Sequence, residues 1–217
     1  MREVLNKIKD GLLNVIIPIA CVGCGKEGNY ICDKCDLFLS EATSIFAKGN
    51  LKEVISVWEY EGLIKKLIHK IKYEGVSGAV NELVTKAFKR RELYIPEDMI
   101  ITFVPMFKKK ERIRGFNQAE LIAKKLGEMT NRKVVPLLEK VKDTPSQTEL
   151  NKEERIENVK GTFGLSKPGF SLSKPGFENV LIVDDVWTSG ATMEECSRIL
   201  RKAGAKNVQG FTLARTA

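Results

Sequence analysis

The sequence predicts an α/β protein, with a mostly parallel sheet flanked by helices and a small N-terminal cysteine module in front of it. Three observations carry this. "EVISVWEY" (53–60), "MIITFVP" (99–105), "NVLIVDD" (179–185) and "VQGFTLA" (208–214) have the length and apolar content of strands. Segments with helical spacing of apolar residues alternate with them, which is the order that gives parallel strands joined by crossover helices. Four of the five cysteines lie within fifteen residues, outside that alternation.

The elements follow in order. Val4, Leu5, Ile8, Leu12, Val15 and Ile16 recur at helical spacing, so residues 1–17 read as an amphipathic helix. A secretion or lipoprotein signal is rejected here, because Lys7, Lys9, Asp10 and Asn14 interrupt the apolar stretch and Pro18 stands where a lipoprotein site needs a leucine-like residue. No stretch approaches a membrane span, and a cytoplasmic protein without membrane insertion is expected. Residues 36–47 read as a short helix and "AKGN" (47–50) as a turn, giving an N-terminal module over 1–48 and a larger domain over 49–217. In 61–75, Leu63, Ile64, Leu67, Ile68 and Ile71 mark one helical face, with the single histidine, His69, beside it as a surface residue. Residues 77–93 and 116–129 are further helices, the latter with Asn117 as N-cap and Glu120 three residues on. "KVVPLL" (133–138) reads as a short strand, 142–160 as a long polar loop, "TFGL" as an extended stretch and 192–203 as a helix holding Cys196 as a small core residue. The tandem "GLSKPGF–SLSKPGF" (164–177) reads as a duplicated surface turn, since Pro and Gly forbid a heptad helix.

The chain carries 36 Lys+Arg against 28 Asp+Glu, a net charge of +8. That balance fits an anionic partner, nucleic acid or a phosphorylated small molecule, as well as ordinary solubility.

Cys21, Cys24, Cys32 and Cys35 form two C-x-x-C pairs, "CVGCGKEGNYICDKC". Gly23 and Gly25 leave room for tight knuckles. A closed tetrahedral thiolate site for structural zinc is expected. Disulfides, an iron–sulfur cluster and a redox pair are the alternatives.

"NVLIVDDVWTSGAT" (179–192) ends a buried-type strand in two acids, then turns through hydroxyl and glycine residues into a helix. The amides and hydroxyls of Thr188, Ser189, Ala191 and Thr192 suit a phosphate at a helix N-terminus, with Gly190 giving the backbone freedom to approach it. The carboxylates suit sugar hydroxyls. A phosphorylated sugar satisfies both halves, with its 2′- and 3′-hydroxyls at Asp184 and Asp185. The stretch contains neither G-x-x-x-x-G-K-[ST] nor G-x-G-x-x-G.

This stretch resembles the phosphoribosyl-pyrophosphate (PRPP) signature of type I phosphoribosyltransferases. "VPMFKKKERIRGFNQAELIAKKL", "KVKDTPSQTELNKEERIENVKGTF" and the four-cysteine module resemble further blocks of the ComF family, a competence-associated branch. The resemblance implies the type I phosphoribosyltransferase fold. It implies Asp184 and Asp185 at the ribose, and a 5′-phosphate loop over Thr188, Ser189, Gly190, Ala191 and Thr192, entered through Val186 and Trp187. Pro105 ends a strand, so that the basic loop after it reaches the pyrophosphate with Lys108 and Arg114, while Gly115 and Asn117 shape the turn. Arg114 joins the acid pair as an expected catalytic residue. The polar loop carries Thr144, Gln147, Thr148, Arg155 and Asn158 and resembles a mobile loop that closes over the reacting centre, with Arg155 expected on the ligand. In that reading Mg²⁺ accompanies PRPP, and phosphoribosyl is transferred to an acceptor that the sequence does not name. The alternatives are a non-catalytic PRPP or nucleotide sensor and a single-stranded-DNA-binding accessory that works with competence-machinery proteins in DNA uptake.

Overall fold

The computed structural model describes residues 18–45, 49–144, 152–167 and 177–216. The helix expected over 1–17, the centre of the tandem turn and the middle of the polar loop, with Gln147 and Thr148, lie outside the described residues.

Four parallel strands form the main sheet, in the spatial order β1 (Val54–Glu59), β6 (Asn207–Arg215), β5 (Asn179–Trp187) and β2 (Met99–Phe103). β2 is buried along all five residues, which requires cover on both faces. The helices that flank the sheet are α2 (Gly62–Tyr73), α3 (Gly78–Arg91), α5 (Gln118–Thr130), which packs on β2 itself, and α7 (Ala191–Lys202). α3 and α5 pack on each other and on the sheet. α7 packs on β5 and β6, and carries against it α6 (Lys152–Val159) and the antiparallel hairpin of β3 (Leu138–Lys140) and β4 (Phe163–Leu165). Trp58, Ile101, Ile122, Leu126 and Phe211 are fully buried in this core. Each such side chain contributes about 1.5–3 kcal/mol.

The connections locate the binding crevice. From β2 the chain runs outward through α5 to Val134, which bridges Ile101 on the far edge of β2. From β5 it runs the other way, through α7 to β6. The connections diverge between the C-terminal ends of β2 and β5, the place where open parallel sheets bind ligands.

The alternation of elements is as expected, with four corrections. The helix expected over 36–47 is absent from its described part, 37–45. Only α1 (Asp33–Asp36) is helical, and 40–45 lies extended along the outer edge of β1, with Ala42 N–H donating to Val57 O and Ile45 N–H to Val54 O. Capping an open strand edge outweighs the local pattern. The basic stretch after Pro105 is not a loop but a short helix, α4 (Lys108–Arg114), ended by Gly115 at φ 89°. Its strong helix formers carry no apolar stripe, so periodicity could not reveal it. The polar segment 142–160 is helical over Lys152–Val159 for the same reason. In "KVVPLL" only the Val134 bridge and the start of β3 at Leu138 are paired, because Pro136 cannot donate to a ladder.

The cysteine module is packed onto the domain. Glu82 of α3 accepts the N–H groups of Tyr30 and Ile31, each at 2.8 Å. Lys66 of α2 donates to Val22 O at 2.8 Å, and Arg90 pairs with Asp36 at 2.8 Å. Ile31 is fully buried in the common core.

Candidate functional site

β5 ends at the crevice with Asp184, Asp185, Val186 and Trp187, and residues 188–190 turn into α7. Gly190 takes φ 79°, a conformation that favours glycine. A Cβ there would lie 2.4 Å from Trp187 Cζ2, so the glycine is also required by the indole folded over it. Ser189 Oγ accepts the Ala191 N–H at 3.4 Å. The start of α7 brings N–H groups and the positive end of the helix dipole to the crevice.

The two acids have different environments. Asp185 is buried, and its Oδ2 pairs with Lys72 Nζ of α2 at 2.6 Å. Asp184 Oδ1 accepts the Asp185 N–H at 2.8 Å. Burial pushes the Asp184 carboxyl up to about 8, and the charge of Asp185 pushes the same way, against the Asp185 N–H and Lys72. Asp184 keeps some contact with solvent, which moderates the rise. Burial works against the Lys72 ammonium, but Asp185 first, then Asp184 and Tyr60, hold its pKa above the ordinary value. Lys140 on β3 is pushed down by burial and by Lys110, with Asp143 and Asp184 opposing.

β2 ends at Phe103, two residues before the Pro105 expected to close it. Phe103 is registered with Val183, and Val104 N–H donates to Val183 O at 2.9 Å, so the chain leaves β2 beside the acid pair. Asn117 is buried and caps α5. Its Oδ1 accepts the Ala119 N–H at 3.0 Å and its Nδ2 donates to Val104 O at 3.0 Å. It therefore ties the end of β2 to α5. Arg114 donates to Gln118 Oε1 at 2.7 Å and stacks over the Tyr73 ring, 5.7 Å from its centroid, next in sequence to Lys72. Lys108 and Lys109 are exposed on α4, while Lys110 pairs with Asp143 at 3.4 Å. Arg155 belongs to α6, with its side chain outside the described atoms.

The four cysteine sulfurs lie within 4.8 Å of one another, a set able to hold a metal ion. Cys24 and Cys32 sulfurs are 3.6 Å apart, close to the roughly 3.8 Å edge of a tetrahedron with Zn–S bonds of about 2.3 Å. A Cβ on Gly23 would meet Cys35 Sγ at 2.8 Å, so the first knuckle needs its glycine. Burial raises the Cys21 thiol, but the N–H groups of Cys32, Cys24 and Gly23 outweigh it and bring it down to about 6. Cys35 is pushed up to about 12, by burial and then by the neighbouring sulfurs. One thiolate thus opposes the next, an opposition that a divalent cation relieves.

Residues 114–217 match the family model of the phosphoribosyl transferase domain. Over 90% of the chain there is 28% identity with Competence protein F of Haemophilus influenzae, covering 84% of that protein. Competence protein ComFC of Bacillus subtilis is 27% identical over 90% of the chain and 78% of its own length. DNA utilization protein YhgH of Escherichia coli is 30% identical over 76% of the chain, covering 73% of that protein. The chain belongs to the competence protein F family. The domain match spans less than half of this family member, and the alignments to its relatives extend well beyond it.

Sequence reasoning singled out neither Lys72 nor Glu82 in this ComF-family chain. Lys72 had a usable signal. It continues the Ile64, Ile68 row at four-residue spacing, so a charge falls on the buried stripe of α2. Glu82 sits one residue before buried Leu83 on α3, and nothing local distinguishes it from a solvated acid. His69 is exposed against Tyr73, and Cys196 is fully buried, both as expected. Among the described residues, no helix is long and apolar enough to cross a membrane.

Proposed function

We propose that the protein binds PRPP or ribose 5-phosphate in the crevice between β2 and β5 and transfers phosphoribosyl to an acceptor. The observation that carries the reading is the acid pair at the end of β5, directly before a glycine-gated helix N-terminus at a switch point of the sheet. Asp184 and Asp185 accept hydrogen bonds from the 2′- and 3′-hydroxyls. Residues 186–192 receive the 5′-phosphate. Lys108 and Arg114, presented after Pro105 with Gly115 and Asn117 setting the turn, face the pyrophosphate, whose departure basic side chains stabilise electrostatically. By the family resemblance, Arg155 of the polar segment is assigned to the ligand, in a segment that helps exclude water.

Carboxylates are hard oxygen donors that Mg²⁺ meets readily through its water shell, so these residues fit a PRPP-bound magnesium. When bound, that ion supplies charge neutralisation for the leaving pyrophosphate. In the N-terminal module, Cys21, Cys24, Cys32 and Cys35 hold one structural zinc, and the module ends near residue 48.

The test is pyrophosphate release from PRPP with Mg²⁺ and a panel of acceptors. Release establishes the transferase. Tight PRPP binding with no release on any acceptor makes the protein a sensor. The relatives' names, with their references to competence and DNA utilization, and the exposed Lys108 and Lys109 favour a second role in DNA uptake, through single-stranded DNA and competence-machinery proteins. Salt-dependent single-strand binding that weakens on charge reversal at 108–110 supports that role.

A further inference from the structure

We propose that Lys72 is a positioning residue, whose ammonium, delivered by α2, fixes the Asp185 carboxylate in the orientation that receives a ribose hydroxyl. The inference rests on the phosphoribosyl-binding reading and adds to it a residue from outside the PRPP motif.

The Lys72 Nζ to Asp185 Oδ2 distance is 2.6 Å, with side-chain exposures of 21% and 8%. A charge pair this enclosed is held in one geometry, and removing one partner leaves the other charge buried without compensation. The delivering helix is fixed along its length. Ile64, Leu67, Ile68 and Ile71 lie in the core, and Lys66 Nζ holds Val22 O at 2.8 Å. The backbone that delivers the ammonium is therefore held in place beside Asp185.

The pairing also divides the acid oxygens. Asp184 commits Oδ1 to the Asp185 N–H, and Asp185 commits Oδ2 to Lys72. In this proposal the remaining oxygen of each acid receives one hydroxyl of a vicinal cis-diol. Without Lys72, the Asp185 carboxylate is free to rotate, and the fixed pair of acceptors is lost. A ligand with only one hydroxyl at this place gains less from the arrangement, so Lys72 acts on the preference for ribose over 2-deoxyribose and not on phosphate capture.

The test is calorimetry on the full chain with inorganic phosphate, ribose 5-phosphate and 2-deoxyribose 5-phosphate. The wild type is expected to prefer ribose 5-phosphate over its 2-deoxy form by about tenfold, one charge-assisted hydrogen bond. Lys72→Met should shrink that preference to about twofold while inorganic phosphate binds as before, and Lys72→Arg should restore most of it. An unchanged preference in Lys72→Met, or an equal loss for all three probes, overturns the inference and leaves the site reading standing. A wild type with no preference overturns the site reading itself. Should Lys72→Met not fold, Lys72→Met/Asp185→Asn, which leaves no unpaired charge, is compared with Asp185→Asn. Equal ribose 5-phosphate binding supports action through Asp185, and a further loss in the double variant shows that Lys72 touches the ligand itself and overturns the positioning role.

Discussion

The four cysteine sulfurs come from fifteen consecutive residues, whereas the groups around the acid pair are gathered from α2, β2, β5 and the start of α7. In the first, local turns bring the donors together and the domain only receives the finished knuckles, through Glu82, Lys66 and Arg90. In the second, Asp184 and Asp185 are neighbours, but Lys72 and the end of β2 reach them from far along the chain, so the tertiary fold sets those distances. The cluster is therefore expected to depend on a bound metal, and the acid pair on the fold. Disturbing either should leave the other largely intact.

The largest effect belongs to the metal. A strong chelator should remove one zinc per chain and expose the amides of residues 19–45 to hydrogen exchange, because metal-binding energy is folding energy here. Melting should fall on the order of 10 °C, while β5 and β6 stay protected. Metal analysis of a reduced, folded sample that contains no zinc would end this account of the module.

Gly190→Val should come next, on the opposite side of the comparison. It combines a left-handed backbone with a Cβ 2.4 Å from the Trp187 indole. A loss of about 1–3 kcal/mol from the strain alone is expected in denaturant titration. Inorganic phosphate binding should disappear while zinc content stays at wild-type level. Retained phosphate binding would separate the turn from the anion site.

Glu82→Gln tests the seam between the two regions. Tyr30 N–H uses one Glu82 oxygen and Ile31 N–H the other, so the single amide oxygen of Gln leaves one of them without an acceptor, and a cost of about 1–3 kcal/mol is expected. The readout is faster exchange in the module with sugar-phosphate binding unchanged.

The smallest effect is in pH. The Asp184 carboxyl is raised from 3.8 to about 8 in the folded protein, so between those values the native state holds more proton than the unfolded chain. Stability from this group is then highest near pH 4 and declines toward pH 8. Asp184→Asn should flatten that slope in denaturant titrations across the range. Partial solvent contact keeps the effect small, and an unchanged slope would mean that Asp184 is already ionised.

The same contrast explains what was legible in the sequence. The metal cluster and the strand–acid–glycine stretch are contiguous, so spacing alone revealed them. The strands were legible because burial on both faces writes continuous apolar runs. α4 and α6 were not, since helices built from charged residues leave no apolar period. The extended path of 40–45 was hidden because the free edge of β1 determines it. Lys72 was overlooked because its partner lies more than a hundred residues away, although its place in the Ile64–Ile68 row already put a charge where an apolar residue belongs.

The central claim is that the acid pair reads the sugar while the turn holds the phosphate. Calorimetry of wild type, Asp184→Asn and Asp185→Asn with PRPP and Mg²⁺, and with inorganic phosphate alone, tests it most directly. Measured above pH 8, where Asp184 is ionised, each variant keeps its size but loses a charged acceptor, a change of about 1.5–3 kcal/mol. PRPP affinity should fall by about tenfold to a hundredfold, with phosphate affinity unchanged. If both variants bind PRPP as the wild type does, the two aspartates are only the end of a strand, and the phosphoribosyl reading fails.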